Sequence, residues 1–456
     1  MEENLKQNKM GTMKISKLLF SMSIPAVLSM LVMGLYNIVD SIFVSRISED
    51  ALTAVSIAFP IQLIIIALFV GLGVGINSLI SRKLGEQDHE SAANAAEHGI
   101  ILCLFLYVLI LLIGVFFARD FLELFLKDPQ DQNIVELGSG YLKIIMIFSI
   151  GNLIAQAGRS ILQGTGDMIH PMRAQLIGAI SNIVLDPILI FGYFGFPSMG
   201  VNGAAIATIS AQIIAMVYVL FVLYTKENVL KINLRNFKYD KNILKGIILV
   251  GLPVAIMQAI ASIMIAGLNL ILREFGKTSM TVLGVYFKIQ SLIFMPIFGL
   301  SQGVMPIVGY NYGAKNKQRI IKTVKLGIIV AVIYMTVGFL VFQIIPAQLL
   351  GLFESSDEMV KIGVPAFRII SCVFPLAAVS IMCGTAFQGM GKAYISMIVS
   401  IIRQLVVLLP AAYVLALLFG LDGVWVSFII AEIVGLTVTI ISSVKLYNKE
   451  LVKWEK

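Results

Sequence analysis

Two aspartates stand in long apolar runs where a charge is expensive. Asp40 lies in Gly34-Leu35-Tyr36-Asn37-Ile38-Val39-Asp40-Ser41, and Asp186 in Ser181-Asn182-Ile183-Val184-Leu185-Asp186-Pro187. A charged side chain at the centre of a membrane helix costs about 2.5–3.5 kcal/mol on insertion scales, so an intramembrane acid marks a functional site by default. Asn37 precedes Asp40 by three residues and Asn182 precedes Asp186 by four, spacings that put each amide on the helical face of its acid. Two neighbouring carboxylates cannot both ionise cheaply. Such a pair can hold a proton, or bind Na⁺ if Asn37, Asn182 and Thr208 complete the shell with neutral oxygens. The alternative is that each acid only hydrogen-bonds an adjacent helix.

The other polar residues inside apolar runs include Lys288, Gln290, Arg403, Gln404 and Glu432. Arg403 and Glu432 fall at similar depth and can form either an ion pair between helices or part of a substrate cavity. Lys288 either snorkels to the surface or lines that cavity, for which Gln290 is a further candidate. Arg159 and Arg368 lie nearer the ends of their runs and read as interfacial anchors.

The elements that must position these groups follow from composition. Hydrophobic residues make up 58% of the 456-residue chain and charged residues 13%, against about half and a quarter in soluble domains. Twelve apolar runs can be counted, near 17–45, 51–82, 92–118, 135–163, 168–193, 200–224, 242–272, 280–312, 318–343, 358–388, 393–418 and 422–446. Each approaches or exceeds the roughly 20 residues that cross a bilayer. The chain is therefore expected to be an all-α polytopic membrane protein, and a soluble enzyme is excluded. The first run continues through Pro25 and Asp40, which identifies a retained helix rather than a signal peptide. Cys103, Cys372 and Cys383 form no metal or disulfide pattern, and nothing calls for a cofactor.

Twenty-three Lys and Arg residues fall in one set of loops and ends, against six in the opposite set. The positive-inside rule then places both termini in the cytoplasm and accounts for the net charge of +8 without nucleic acid. At about 1.5 Å of rise per residue, Asp40 and Asp186 both reach the outer half of the bilayer.

The chain also repeats itself. Gly71-Leu72-x-x-Gly75 recurs as Gly299-Leu300-x-x-Gly303, and Pro25, Gln62 and Gly85 recur as Pro253, Gln290 and Gly313, all 228 residues on. Gln163-Gly164-x-Gly166 recurs as Gln388-Gly389-x-Gly391, and Gly203 as Gly423. An even number of spans separates the copies, so two pseudo-symmetric six-helix lobes of one orientation are expected. They would be residues 1–224 and 242–456, joined by a polar cytoplasmic linker, 225–241.

Taken together, Leu162-Gln163-Gly164-x-Gly166-Asp167, Asn182-x-x-x-Asp186-Pro187, Val39-Asp40-Ser41, Gly203-Ala204-Ala205-Ile206-Ala207-Thr208 and Pro306-x-x-Gly309-x-Asn311-x-Gly313-Ala314 resemble the multidrug and toxic compound extrusion (MATE) transporters. The resemblance implies twelve helices in two lobes forming a V, and H⁺- or Na⁺-coupled export of organic, often cationic or amphipathic, compounds. It implies a plasma-membrane protein, here read as monomeric, with a cation site at Asp40, Asn182 and Asp186, to which Thr208 is added. The acid that some members carry after the seventh-helix proline is missing, since Pro253 is followed by Val254-Ala255-Ile256-Met257-Gln258. Coupling is thus expected to rest on the first lobe. The competing expectation is a lipid-linked saccharide flippase of related two-lobe architecture, which needs several deep basic residues for a pyrophosphate; Lys288 and Arg403 are the only candidates.

Overall fold

A computed structural model describes residues 8–126, 131–225, 230–353 and 356–455. Among these residues there are helices and no strands. In hydrocarbon every backbone polar group must be bonded within its own segment, so apolar runs of this length become helices. The first half of the chain contains a short α1 (Lys9–Thr12), then α2 (Ile15–Ser45), α3 (Glu49–Gly85), α4 (His89–Phe125), α5 (Gln132–Ile147), α6 (Ile150–Gly164), α7 (Ile169–Phe191) and α8 (Gly200–Thr225). The second half contains α9 (Lys241–Leu272), α10 (Lys277–Gly313), α11 (Lys317–Ile344), α12 (Pro346–Gly351), α13 (Asp357–Ser371), α14 (Phe374–Gly389), α15 (Ala393–Ile401), α16 (Leu409–Phe419) and α17 (Leu421–Leu446).

Among the described residues ten helical segments are long and apolar enough to cross a membrane, and the number is twelve when each of two bent pairs is taken as one span. The runs 135–163 and 358–388, expected to be single helices, are each broken: α5 and α6 meet at 44°, and α13 and α14 at 47°. At the second break Pro375 occupies the first turn of α14, where a missing N–H costs nothing but the preceding helix cannot continue through it. The run 393–418 is continuous, but Ile402–Leu408 forms a π-turn between α15 and α16. Pro410 supplies the reason. Its ring collides with the carbonyl of Val406 and it lacks an N–H, so the local ladder shifts register.

The repeat seen in the sequence recurs in the backbone. Gln87 and Lys315, 228 residues apart, both adopt positive φ, 61° and 53°. The next residue in each copy caps a helix: Asp88 accepts from the Ser91 N–H at 3.0 Å and Asn316 from the Arg319 N–H at 3.2 Å. A Cβ on Gly203 would lie 2.3 Å from the Leu189 carbonyl oxygen, and one on Gly423 would lie 2.1 Å from that of Leu415. In both halves a hydrogen in place of a side chain therefore lets the last two spans touch backbone to backbone.

By compactness the chain divides into two units: Leu28–Leu84 with Asp88–Leu252, and Met1–Val27 with Gly85–Gln87 and Pro253–Lys456. The divisions fall inside helices, two residues after Pro25 in α2 and immediately before Pro253 in α9. Each proline leaves one carbonyl of the i→i−4 ladder without its donor, which makes these the softest turns of their helices.

Substituting Gly203→Ala is expected to destabilise the protein by about 1–3 kcal/mol through overpacking. A lowered melting temperature of the purified protein would register it. Gly178→Ala, whose added Cβ would rest 3.5 Å from that of Ala215, is the control expected to leave the melting temperature unchanged.

Candidate functional site

The helices that carry the acids belong to one unit. Asp186 sits on α7 directly before Pro187, and its residue is 0% exposed; Asn182, one turn earlier, is 2% exposed. Asn182 donates from Nδ2 to Asp186 Oδ1 at 3.2 Å and lies 3.5 Å from Thr208 Oγ1 on α8, the outer limit for a hydrogen bond. The Gly203 approach of α7 to α8 brings Thr208 this close. Asp40 projects from α2, and its carboxyl group lies within hydrogen-bonding reach of that of Asp186. Four of the five residues expected at this site thus converge; the side chain of Asn37 lies outside the described residues.

The oxygens of this cluster are short of donors. Asp40 Oδ1, Asp186 Oδ2 and Asn182 Oδ1 are each buried with no hydrogen-bond partner. A buried acceptor without a donor costs about 1–3 kcal/mol. Two neighbouring carboxyl groups with amide and hydroxyl oxygens beside them make up a hard, oxygen-only donor set, which fits H⁺ or an alkali cation better than a soft metal. Tyr36, one turn before Asp40, and Tyr141 lie within electrostatic range of both acids.

A cavity of about 200 Å³ opens beside the cluster in the same unit. Asn182, Thr208 and Tyr36 line it, together with Asn152, Gln156 and Arg159 among its polar residues. Arg159 donates to Gln156 Oε1 at 2.7 Å. Its reading as an interfacial anchor is therefore corrected: it faces an internal cavity. Depth judged along a straight run from 135 to 163 failed because the helix bends before α6 begins. The i, i+4 spacing of Tyr36 to Asp40 was available in the sequence and identifies the tyrosine; nothing in sequence marked Gln156 or Asn152.

In the other unit Arg403 and Glu432 form an ion pair, Nη1 to Oε2 at 2.9 Å, and Ser380 donates to Glu432 Oε1 at 3.0 Å. Arg403 stands at the start of the π-turn, and its stem packs where a Cβ on Gly435 would lie only 2.9 Å from Cδ. Lys288 is exposed, with Nζ 5.8 Å from the centre of the Phe353 ring, and Gln290 is half-buried.

A twelve-span helical bundle with an internal repeat and a carboxylate pair beside a polar cavity is the build of a secondary transporter. The MatE family model matches this chain twice, over residues 25–188 and 253–414, so that the matches begin at Pro25 and Pro253. The chain belongs to this family, the MATE multidrug-efflux transporters. It is similar to the probable multidrug resistance protein NorM of Thermotoga maritima, 28% identical over 97% of this chain and 94% of the relative. It is also similar to a FAD transporter of Shewanella oneidensis, 22% identical over 92% of each. A solved structure of a MOP superfamily transporter from Pyrococcus furiosus superposes with a TM-score of 0.91 at 29% identity, covering all of both chains.

Removing one partner of a buried ion pair costs about 3–5 kcal/mol, whereas replacing both by apolar groups is often neutral. Glu432→Ala is therefore expected to lower thermal stability sharply, and the double variant Arg403→Met/Glu432→Leu to recover most of the loss. Thermal unfolding of the two proteins in detergent checks this.

Proposed function

We propose that this transporter is a cation-coupled antiporter that exports organic cationic or amphipathic compounds in exchange for inward H⁺ or Na⁺. Asp40 and Asp186 hold the coupling cation, with Asn182 and Thr208 as neutral oxygen ligands. The observation that carries this reading is that Asn182 and Thr208 belong at once to the acid cluster and to the cavity wall. A ligand moves a conformational equilibrium only through its differential affinity for the states. Shared residues supply that difference, because a cation drawing Asn182 toward the carboxyl groups removes it from a bound compound. A cation entering through the membrane field adds about 2.3 kcal/mol per 100 mV.

Asp40, in α2, and Asp186, in α7, fall within residues 1–224, which we read as the first lobe, with 242–456 as the second and both termini cytoplasmic. The protein works as a monomer in the cell membrane. Arg403 and Glu432 serve as a tie between helices, since both carboxylate oxygens have partners; Lys288 and Gln290 are the residues of the second half that we assign to the substrate path. The flippase alternative needs several basic groups around a pyrophosphate, and the cavity beside the acids has Arg159 as its one basic lining residue.

In proteoliposomes Asp186→Asn is expected to reduce gradient-driven ethidium efflux at least tenfold while the protein elutes as a folded species. Imposing a proton gradient or a Na⁺ gradient separately identifies the ion. Efflux at the unaltered rate in the variant would refute the assignment.

A further inference from the structure

The cavity beside the acid cluster is not itself acidic. Neither Asp40 nor Asp186 lines it, and among the described residues Arg159 is its one charged lining group. A cation inside a membrane-spanning bundle is expensive and is met by a carboxylate or turned into a cavity. Arg159 takes the second course. The ion pairs among the described residues do not include it, whereas in the other unit Arg403 has Glu432 at 2.9 Å. Among the described residues the Arg159 side chain makes one hydrogen bond, from Nη2 to Gln156 Oε1 at 2.7 Å. A guanidinium has five N–H donors, so most of them are left for an occupant of the cavity.

The guanidinium is steadied from its own helix. Gln156 and Arg159 are three residues apart on α6 and so share a face. α3 comes close to the same turn: a Cβ on Gly73 would lie 2.9 Å from Gln156 Nε2 and 2.5 Å from Ser160 Oγ. The missing side chain at Gly73 permits this approach, which confines the amide that orients Arg159. Asn152, Gln175 and Gln212 add further amides to the wall, and Met33, Ile66 and Phe69 supply apolar lining. The volume, about 200 Å³, is below the roughly 300–1,000 Å³ of pockets that enclose a whole drug-sized ligand, so the cavity takes one end of a compound. The planar fork of a guanidinium matches a two-oxygen anion. A single cation balances one carboxylate, whereas a doubly charged phosphate would leave a negative charge unmatched.

We propose that Arg159 binds a carboxylate carried by the exported compound, so that the protein favours amphipathic acids and zwitterions over compounds whose only charge is positive. The carboxylate meets the guanidinium while the apolar part of that end lies against Met33, Ile66 and Phe69. A purely cationic compound meets Arg159 as a like charge, and ethidium is then a substrate of lower affinity than an acid of similar shape. The inference rests on the reading that the exported compound binds in this cavity beside Asn182 and Thr208, and it narrows the class of that compound.

The test uses the full-length protein purified in detergent and a rhodamine dye in two forms, with its benzoate free and with the benzoate methyl-esterified. The two share their ring system and cationic xanthene and differ in the carboxylate. Fluorescence anisotropy gives the affinity of each form for the unaltered chain, Arg159→Gln and Arg159→Lys. The unaltered chain is expected to bind the free acid at least tenfold more tightly than the ester. Arg159→Gln should bring the two affinities within twofold of each other, and Arg159→Lys, which keeps the charge but loses the fork, should fall between. Equal affinities in the unaltered chain overturn the proposal without recourse to any variant. So does a full preference for the acid in folded Arg159→Gln, or in Arg159→Lys if the Gln variant does not fold. Equal weakening of both dyes also overturns it, since Arg159 would then only shape the cavity. Gradient-driven efflux of both dyes from proteoliposomes, in the unaltered chain and in Asp186→Asn, separates this from the coupling assignment. If Asp186→Asn exports them at the normal rate, the coupling assignment fails; if it does not and the unaltered chain shows no preference for the acid, the carboxylate site alone fails.

Discussion

A carboxyl group in hydrocarbon has no water to satisfy it, and the arrangement of the first unit follows from that shortage. Asp186 is fully buried, and one of its oxygens receives the Asn182 amide while the other has no donor. Asp40 brings a second carboxyl group within hydrogen-bonding reach. The cluster therefore has more acceptors than donors, a shortage that one proton or one Na⁺ fills in the function proposed above. The close packing of α7 on α8 at Gly203 brings Thr208 within reach of Asn182 and so adds a hydroxyl to the cluster.

The second unit handles burial differently. Glu432 has its counter-charge built in through Arg403, and Ser380 completes it. A pair closed in this way has no need of an external ion. The backbone repeats faithfully, down to matched left-handed residues and helix caps, while the charged groups do not. A repeated scaffold thus carries an unequal distribution of charge, with an acceptor-rich acid cluster in one unit and a self-neutralised pair in the other.

Much of this was legible in the residues. Asp40, Asp186 and Asn182 were marked by their cost in an apolar run and by helical spacing, and Arg403 with Glu432 by equal depth. What escaped depended on breaks in helices. Arg159 was misplaced because depth was measured along a helix that bends by 44°, and a bend without proline leaves no strong mark in sequence. The π-turn at 402–408 is implied by Pro410 only once a helix is known to run through it. The bonds from Arg319 to Met10 and Met13 join residues three hundred apart, and no local pattern encodes such a contact.

In the proposed exchange one cation sits between Asp40 and Asp186 and is displaced when a compound binds beside Asn182 and Thr208. Its most direct measurement is the number of protons or Na⁺ ions released when ethidium binds to the purified protein, in the unaltered chain and in Asp40→Asn/Asp186→Asn. About one ion per ethidium is expected from the unaltered protein and none from the double variant. Equal release from both would contradict the claim.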